Sequence, residues 1–340
     1  MTLLEPLGLI EGPAAAAAIS EGLARPWQGG PFAFTAFRDA EGRIHPAAAA
    51  PPEILAAPPP FAGLPRHAGR PLVMGIVNCT PDSFSGDGLG AAHAAAVAQG
   101  EAMLAEGADI LDIGGESTRP GAAPVSPERE QARILPVIRA LARLAPVSVD
   151  TRHAATMRAA LDAGARIVND VSALGFDPAS LRTVASAGCP VVLMHARTLD
   201  PRTMQQEIHY ADAALEVAEY LAGRVRACED AGIPRARIAL DPGIGFGKRV
   251  RDNLELIARL PLLAGLGCTI LVGASRKGFI GQVTGVAEAG QRQAGSLAAA
   301  LETARRGAHI LRVHDVALTV QALKLQEAIG MGWGPGGDEA

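Results

Sequence analysis

Lysine and asparagine are scarce in this 340-residue chain. Three lysines (Lys248, Lys277, Lys324) stand against 28 arginines, and there are three asparagines (Asn78, Asn169, Asn253). Where these residue types persist against a bias towards Arg, Ala and Gly, a local demand is suggested. The four cysteines (Cys79, Cys189, Cys228, Cys268) lie far apart, with no CxxC and no metal-ligand spacing. That argues against a disulfide scaffold or zinc ribbon and fits a reducing compartment. No apolar run reaches the roughly 18 residues of a membrane span. The first basic residue is Arg25, so the charged n-region of a signal peptide is missing. With a net charge of −4 and no Lys/Arg-rich block, neither nucleic acid nor an anionic membrane is an expected partner. The expectation is a soluble cytoplasmic protein.

Hydrophobic residues make up 49% of the chain, enough for a sizeable core. At about 150 residues per domain the length suggests two domains, but one α/β barrel of roughly 250 residues plus an extension fits as well. Residues 1–70 differ from the rest, with alanine runs at Ala14–Ala18 and Ala47–Ala50. The alternation over Phe32–Arg43, around a turn at Asp39–Gly42, suggests a hairpin. The Pro-rich stretch 51–71 reads as an extended linker. Residues 1–50 either pack as a small appendage or stay loose, and no chemistry is visible there. Residues 331–340 read as a flexible tail.

From Pro71 to about residue 330, short apolar runs alternate with segments of helical character. The runs are Leu72–Val77, Ile110–Ile113, Val147–Val149, Ile167–Val168, Val191–Met194, Ile238–Leu240, Ile270–Val272 and Ile310–Val313. Continuous apolar runs between helices indicate parallel strands covered on both faces. Eight such units predict a closed (β/α)8 TIM barrel. Two helices stand out, Ser126–Leu144, with Ser-Pro-Glu at its start, and Met204–Ala231.

Each run is followed by polar or Gly-rich residues. In such barrels the C-terminal face carries the site, built from several strand ends. Asp150, Asn169 and Asp241 offer carboxylate and amide edges suited to a flat heterocycle with adjacent N–H donors. Lys277 suits a ring carbonyl. Arg312 and His314, two apart on a strand, point to one side and suit an anion. Asn78 is a neutral oxygen ligand, suited to Mg²⁺ shared with a diphosphate. Blander readings stand beside these. Asp150 has comparable claims as a helix cap, Asn169-Asp170 as an Asx turn and Arg312 as an ion-pair partner. Gly243–Lys248 invites a P-loop reading that fails, because Pro stands at 242 and Arg at 249. His195 has no second His or Cys at ligand spacing and reads as a pocket-lining or structural group. Cys79 reads as a small buried residue. No GxSxG nucleophile motif occurs.

Taken together, the segments Asn78–Gly88, Asp112–Gly121, Ser148–Thr151, Val168–Asp170, Leu193–His195, Leu240–Lys248, Ser275–Lys277 and Arg312–Asp315 resemble the dihydropteroate synthase family over about 72–329, in the family's order. The resemblance implies an alkyl transferase (EC 2.5.1.15) of folate biosynthesis, joining a dihydropterin diphosphate to p-aminobenzoate. It implies a catalytic set of Asp150, Lys277, Asn78, Arg312 and His314. Pterin would lie against Asp150, Asn169, Asp241, Lys277, Met194, Phe246 and Gly273. Diphosphate would meet Asn78, Thr118, Arg312 and His314, with Mg²⁺ at Asn78. Phe84, Thr118, Arg119, Pro120 and Ser275 would form the p-aminobenzoate pocket, which sulfonamides also occupy. A homodimer through barrel helices is implied as well.

Three features depart from the family pattern. Asp87 stands one place later than the usual loop acid, Cys79 replaces a more common Val, and the usual Gly after His195 is missing. The rivals are a pterin-binding methyltransferase domain, which should lack the Thr80–Phe84 and Ser117–Pro120 loops, and a paralogue that binds pterin without turnover.

Overall fold

The computed structural model describes residues 3–27, 32–55, 57–65, 67, 70–80, 89–117, 124–198 and 208–331. Its N-terminal part folds against the rest of the chain. Strand β1 (Glu5–Glu11) leads into helix α1 (Gly12–Ser20), then β2 (Arg25–Trp27), β3 (Phe32–Arg38) and β4 (Ile44–Pro46). β3 pairs antiparallel with β1 on one edge and with β2 and β4 on the other. Alternation divides its side chains between two faces. Ala33 packs with Ala15 of α1, while Phe34 on the other face joins the main core. Trp27 is fully buried against Gly307, where an added Cβ would stand 2.5 Å from the ring and φ is +89°. Glu5 pairs with Arg259 at 3.1 Å and Glu11 with Arg305.

The stretch 51–71 is not the extended linker that its prolines suggest. It holds α2 (Pro52–Leu55) and a 3₁₀ turn at Phe61–Gly63. Ile54 is buried in the main core. Phe61 packs on Leu72, Met74, Ile110, Ile167, Val192, Ala239, Leu271 and Ile310, the lowest inward-facing side chains of the barrel. Proline restricts the backbone here, but the apolar side chains between the prolines find the floor of the barrel.

The barrel strands are β5 (Leu72–Asn78), β6 (Ile110–Gly114), β7 (Val147–Asp150), β8 (Ile167–Asp170), β9 (Val191–Met194), β10 (Ile238–Asp241), β11 (Thr269–Val272) and β12 (Ile310–Val313). They pair in parallel, in chain order, and β12 closes on β5. This is the (β/α)8 barrel expected. Asn78, Asp150, Asp170 and Asp241 prove to be the last residues of their strands, and Asn169 the last but one of β8, rather than the first after them.

The helices are α3 (Leu89–Ala105), α4 (Pro127–Leu141), α5 (Ala154–Asp162), α6 (Ser180–Ala187), α7 (Ala213–Asp230), α8 (Val250–Ala258), α9 (Gly278–Thr284), α10 (Gln293–Arg305) and α11 (Val316–Met331). Two boundaries correct the sequence reading. α4 is capped by Ser126 but ends at Leu141, and Leu144 is exposed. α7 starts at Ala213 because the Asp212 side chain accepts from the Leu215 amide at 2.8 Å, an N-cap. The expected start at Met204 lies outside the described residues.

Candidate active site

Along β6, β8, β10 and β12 the inward positions change character with height. Ile110 is followed two residues on by Asp112, Ile167 by Asn169, Ala239 by Asp241 and Ile310 by Arg312. The period of two that seals the barrel floor therefore places polar groups on its upper layer.

Arg312 ties this layer together. Its Nε lies 2.6 Å from Asp112 Oδ2 and its Nη2 2.8 Å from Asp150 Oδ2. Asn169 Nδ2 donates to the same Asp112 oxygen at 3.0 Å. Burial pushes the Asp150 carboxyl up to about 7, against the pull of Arg312. Burial also raises Asp241, whose Oδ1 accepts from the Gly243 amide at 2.7 Å. Lys277 is lowered to about 8 by burial and by Arg312, and its Nζ lies 4.1 Å from the Phe246 ring centre. His314 is lowered to about 3 by burial and Arg312, and its Nδ1 is 3.1 Å from Ser275 Oγ. A neutral imidazole there serves as a hydrogen-bonding group, not as a charge.

Above this layer opens a cavity of about 1320 Å³. Asn78, Asp150, Phe246, Gly273, Ser275, Lys277, Arg312 and His314 line it. Asn169, Asp241 and Met194 are buried and not among its lining; Asn169 joins it through Asp112 and Arg312. Phe84, Thr118, Arg119, Pro120 and Asp87 lie outside the described residues. The stem of the second loop is described. Glu116 takes two bonds from Arg152, at 2.8 and 3.1 Å, and one from the Val125 amide at 3.2 Å, so one carboxylate joins both ends of that loop.

The open alternatives now divide. Asp150 faces the cavity, and the cap position of α5 belongs to His153. Asp170 makes the Asx turn, accepting from the Ser172 and Leu174 amides at 2.7 and 3.0 Å. Its neighbour Asn169 points the other way, into the barrel. His195 is buried beside Lys248, with its Nδ1 3.0 Å from Nζ. Cys79 is buried, and burial pushes its thiol up to about 12.

Sequence reasoning missed one central residue. Asp112 is fully buried and holds both Arg312 and Asn169, yet it stood only as the first residue of a loop signature. The signal was a carboxylate inside the apolar run Ile110–Ile113, at the same alternate position as Ile110.

A barrel with a buried carboxylate, amide and guanidinium layer under an open mouth defines a class of heterocycle-binding enzymes. The family model described as pterin binding enzyme matches residues 74–314. The chain belongs to that family. Its relatives there include dihydropteroate synthases, and this chain groups with them. It is 49% identical to the dihydropteroate synthase of Neisseria meningitidis serogroup B, over 77% of this chain and 94% of the relative. The Xanthomonas albilineans dihydropteroate synthase with 4-aminobenzoic acid is 51% identical, at a TM-score of 0.72, covering 76% of this chain and 93% of the other. The same enzyme in complex with 7,8-dihydropteroate gives 48% and 0.69, covering 76% and 94%.

Proposed function

We propose that this chain condenses (7,8-dihydropterin-6-yl)methyl diphosphate with p-aminobenzoate, giving 7,8-dihydropteroate and pyrophosphate. The observation that carries the reading is the buried Asp112–Arg312–Asp150 layer with Asn169 and Asp241 beside it, in a chain that matches a synthase over 77% of its length. Asn169 and Asp241 read the aminopyrimidine edge, each charge-assisted bond to the Asp241 carboxylate adding roughly 1.5–3 kcal/mol. Lys277 and Phe246 bound the ring, with Met194 and Gly273. Arg312, which keeps N–H donors beyond the two carboxylate bonds, and His314 take the diphosphate.

Departure of the diphosphate leaves positive charge on the pterin's exocyclic carbon. Asp150 stabilises that charge electrostatically. The neutral aniline nitrogen then attacks, and no strong base is needed. Ser275, with Phe84, Thr118, Arg119 and Pro120, is assigned to p-aminobenzoate. Asn78 lines the cavity with Thr80, and their neutral oxygens fit Mg²⁺ when the diphosphate supplies the negative ligands. Bound there, the ion would neutralise charge on the leaving diphosphate.

A homodimer, a cytoplasmic location and sulfonamide sensitivity belong to the same proposal. Among the described residues no helix is long and apolar enough to cross a membrane. No observation favours the methyltransferase or the non-catalytic paralogue. The test is turnover by the purified chain given both substrates and Mg²⁺. Equimolar dihydropteroate and pyrophosphate, suppressed by a sulfonamide, is the expected result. Tight pterin diphosphate binding without product would support the non-catalytic paralogue instead.

A further inference from the structure

The Gly243–Lys248 segment fails as a P-loop, yet its lysine is buried and none of the steps above uses it. Lys248 Nζ donates to the carbonyls of Gly243 at 2.9 Å, Phe246 at 3.0 Å and His195 at 3.3 Å. His195 Nδ1 stands at 3.0 Å as a fourth acceptor, sharing one of the three N–H donors with a carbonyl. Burial and the Lys248 charge hold that imidazole neutral, with a value near 3. Its Nδ1 then offers a lone pair, and the proton sits on Nε2.

Burial also lowers Lys248, to about 7, with Asp241 opposing. The acceptor set favours the charged form, since a neutral amine would turn its lone pair towards a carbonyl. Two side chains hold the rim of the turn, Asp241 Oδ1 accepting from the Gly243 amide at 2.7 Å and Asn253 Oδ1 from the Gly245 amide at 2.6 Å, while Lys248 gathers the carbonyls inside it. Gly243, Gly245 and Gly247 have φ of +69°, +83° and +59°. A Cβ at Gly243 would stand 2.0 Å from the His195 carbonyl oxygen. The turn carries Phe246 to Lys277, and a Cβ at Gly245 would come within 3.1 Å of the Lys277 stem.

We propose that Lys248 is a positioning residue whose ammonium acts as an internal cation in a carbonyl cage, fixing Phe246 and Gly245 against Lys277 at the pterin site. The inference rests on reading that site as a pterin pocket. It also explains a lysine in an arginine-rich chain. A planar guanidinium cannot aim three donors at a triangle of carbonyls, whereas an ammonium can.

Two variants test it. Lys248→Met keeps the stem and removes the charge. It should raise KM for the dihydropterin diphosphate about tenfold or more, a loss of substrate binding. KM for p-aminobenzoate should stay within about twofold. Amide exchange at Phe246, whose N–H donates to Gly243, should quicken. In Lys248→Ala, propylammonium should restore the pterin KM and the Phe246 protection, and tetramethylammonium, which has no N–H, should not.

Should Lys248→Met fail to fold, refolding of Lys248→Ala carries the same test. Recovery with propylammonium alone supports the cage; no recovery, or equal recovery with both ions, overturns it. Unchanged pterin KM and exchange, or equal rises in both KM values, would also overturn it. The exchange measurement needs no substrate. An inactive wild type with a slow Phe246 amide would therefore count against the proposed reaction and leave the cage standing.

Discussion

Arg312 and Asp112 meet across the barrel interior, Nε to Oδ2 at 2.6 Å, although 200 residues separate them in the chain. The contact decides where the guanidinium of the last strand stands. It also occupies the oxygen to which Asn169 donates. The Asn169 amide and the Arg312 guanidinium are therefore oriented by one carboxylate.

Asp112→Asn should damage both functions at once. Removing one partner of a buried ion pair typically costs about 3–5 kcal/mol, because the other charge is left uncompensated. We expect kcat/KM for the pterin diphosphate to fall by about 100-fold or more, with weaker pterin binding by calorimetry. Wild-type binding in this variant would remove Asp112 from the site.

Asp150 should give the proposed reaction an acid limb. Its carboxyl, pushed up to about 7 by burial, loses its charge as pH falls through that value. The cation it stabilises then loses support, so kcat/KM should drop below about pH 7. Lys277, lowered to about 8, supplies the alkaline limb as it loses its proton. The stability effect has the opposite sense. The folded chain holds a proton at Asp150 between 3.8 and about 7 that the unfolded chain has lost, so this group's contribution weakens as pH rises through that window. Asp150→Asn should therefore lose the acid limb and most of its activity, and its Tm relative to wild type should be higher at pH 8 than at pH 4.

Phe61→Ala tests the floor. Truncating a buried Phe costs about 3–5 kcal/mol. Tm should fall clearly, while both KM values, measured well below the new Tm, stay at wild-type levels. A pterin KM that rises with the floor mutation would mean that the floor and the upper layer are coupled.

Chelation tests the ion. EDTA should abolish turnover and added Mg²⁺ restore it. Asn78→Ala should raise the Mg²⁺ concentration needed for half-maximal rate, without affecting binding of a pterin that lacks the diphosphate. Full activity in EDTA would sink the Mg²⁺ assignment.

The barrel was readable because two-sided burial writes each strand as an unbroken apolar run, and eight such runs recur in order. Part of the candidate site's lining was readable because charged or amide residues end those runs. Two of the three lysines and all three asparagines lie in or beside the site, with Asn253 Oδ1 accepting from the Gly245 amide at 2.6 Å. What could not be read depended on contacts distant in sequence. Asp112 sits within a run rather than after it, so only its partners mark it. Phe61 lies among prolines, and nothing local shows that the barrel floor is its neighbour. The role of Lys248 needed the carbonyl positions of two separate turns.

The most direct test of the account is a crystal structure of the chain with the dihydropterin diphosphate and Mg²⁺. The account predicts the aminopyrimidine edge bonded to Asn169 and Asp241, the ring beside Asp150 and Lys277, and the diphosphate on Arg312 and His314. A ring lodged instead in the outer part of the cavity, near Phe279 and Arg292, with the layer around Asp112 untouched, would contradict it.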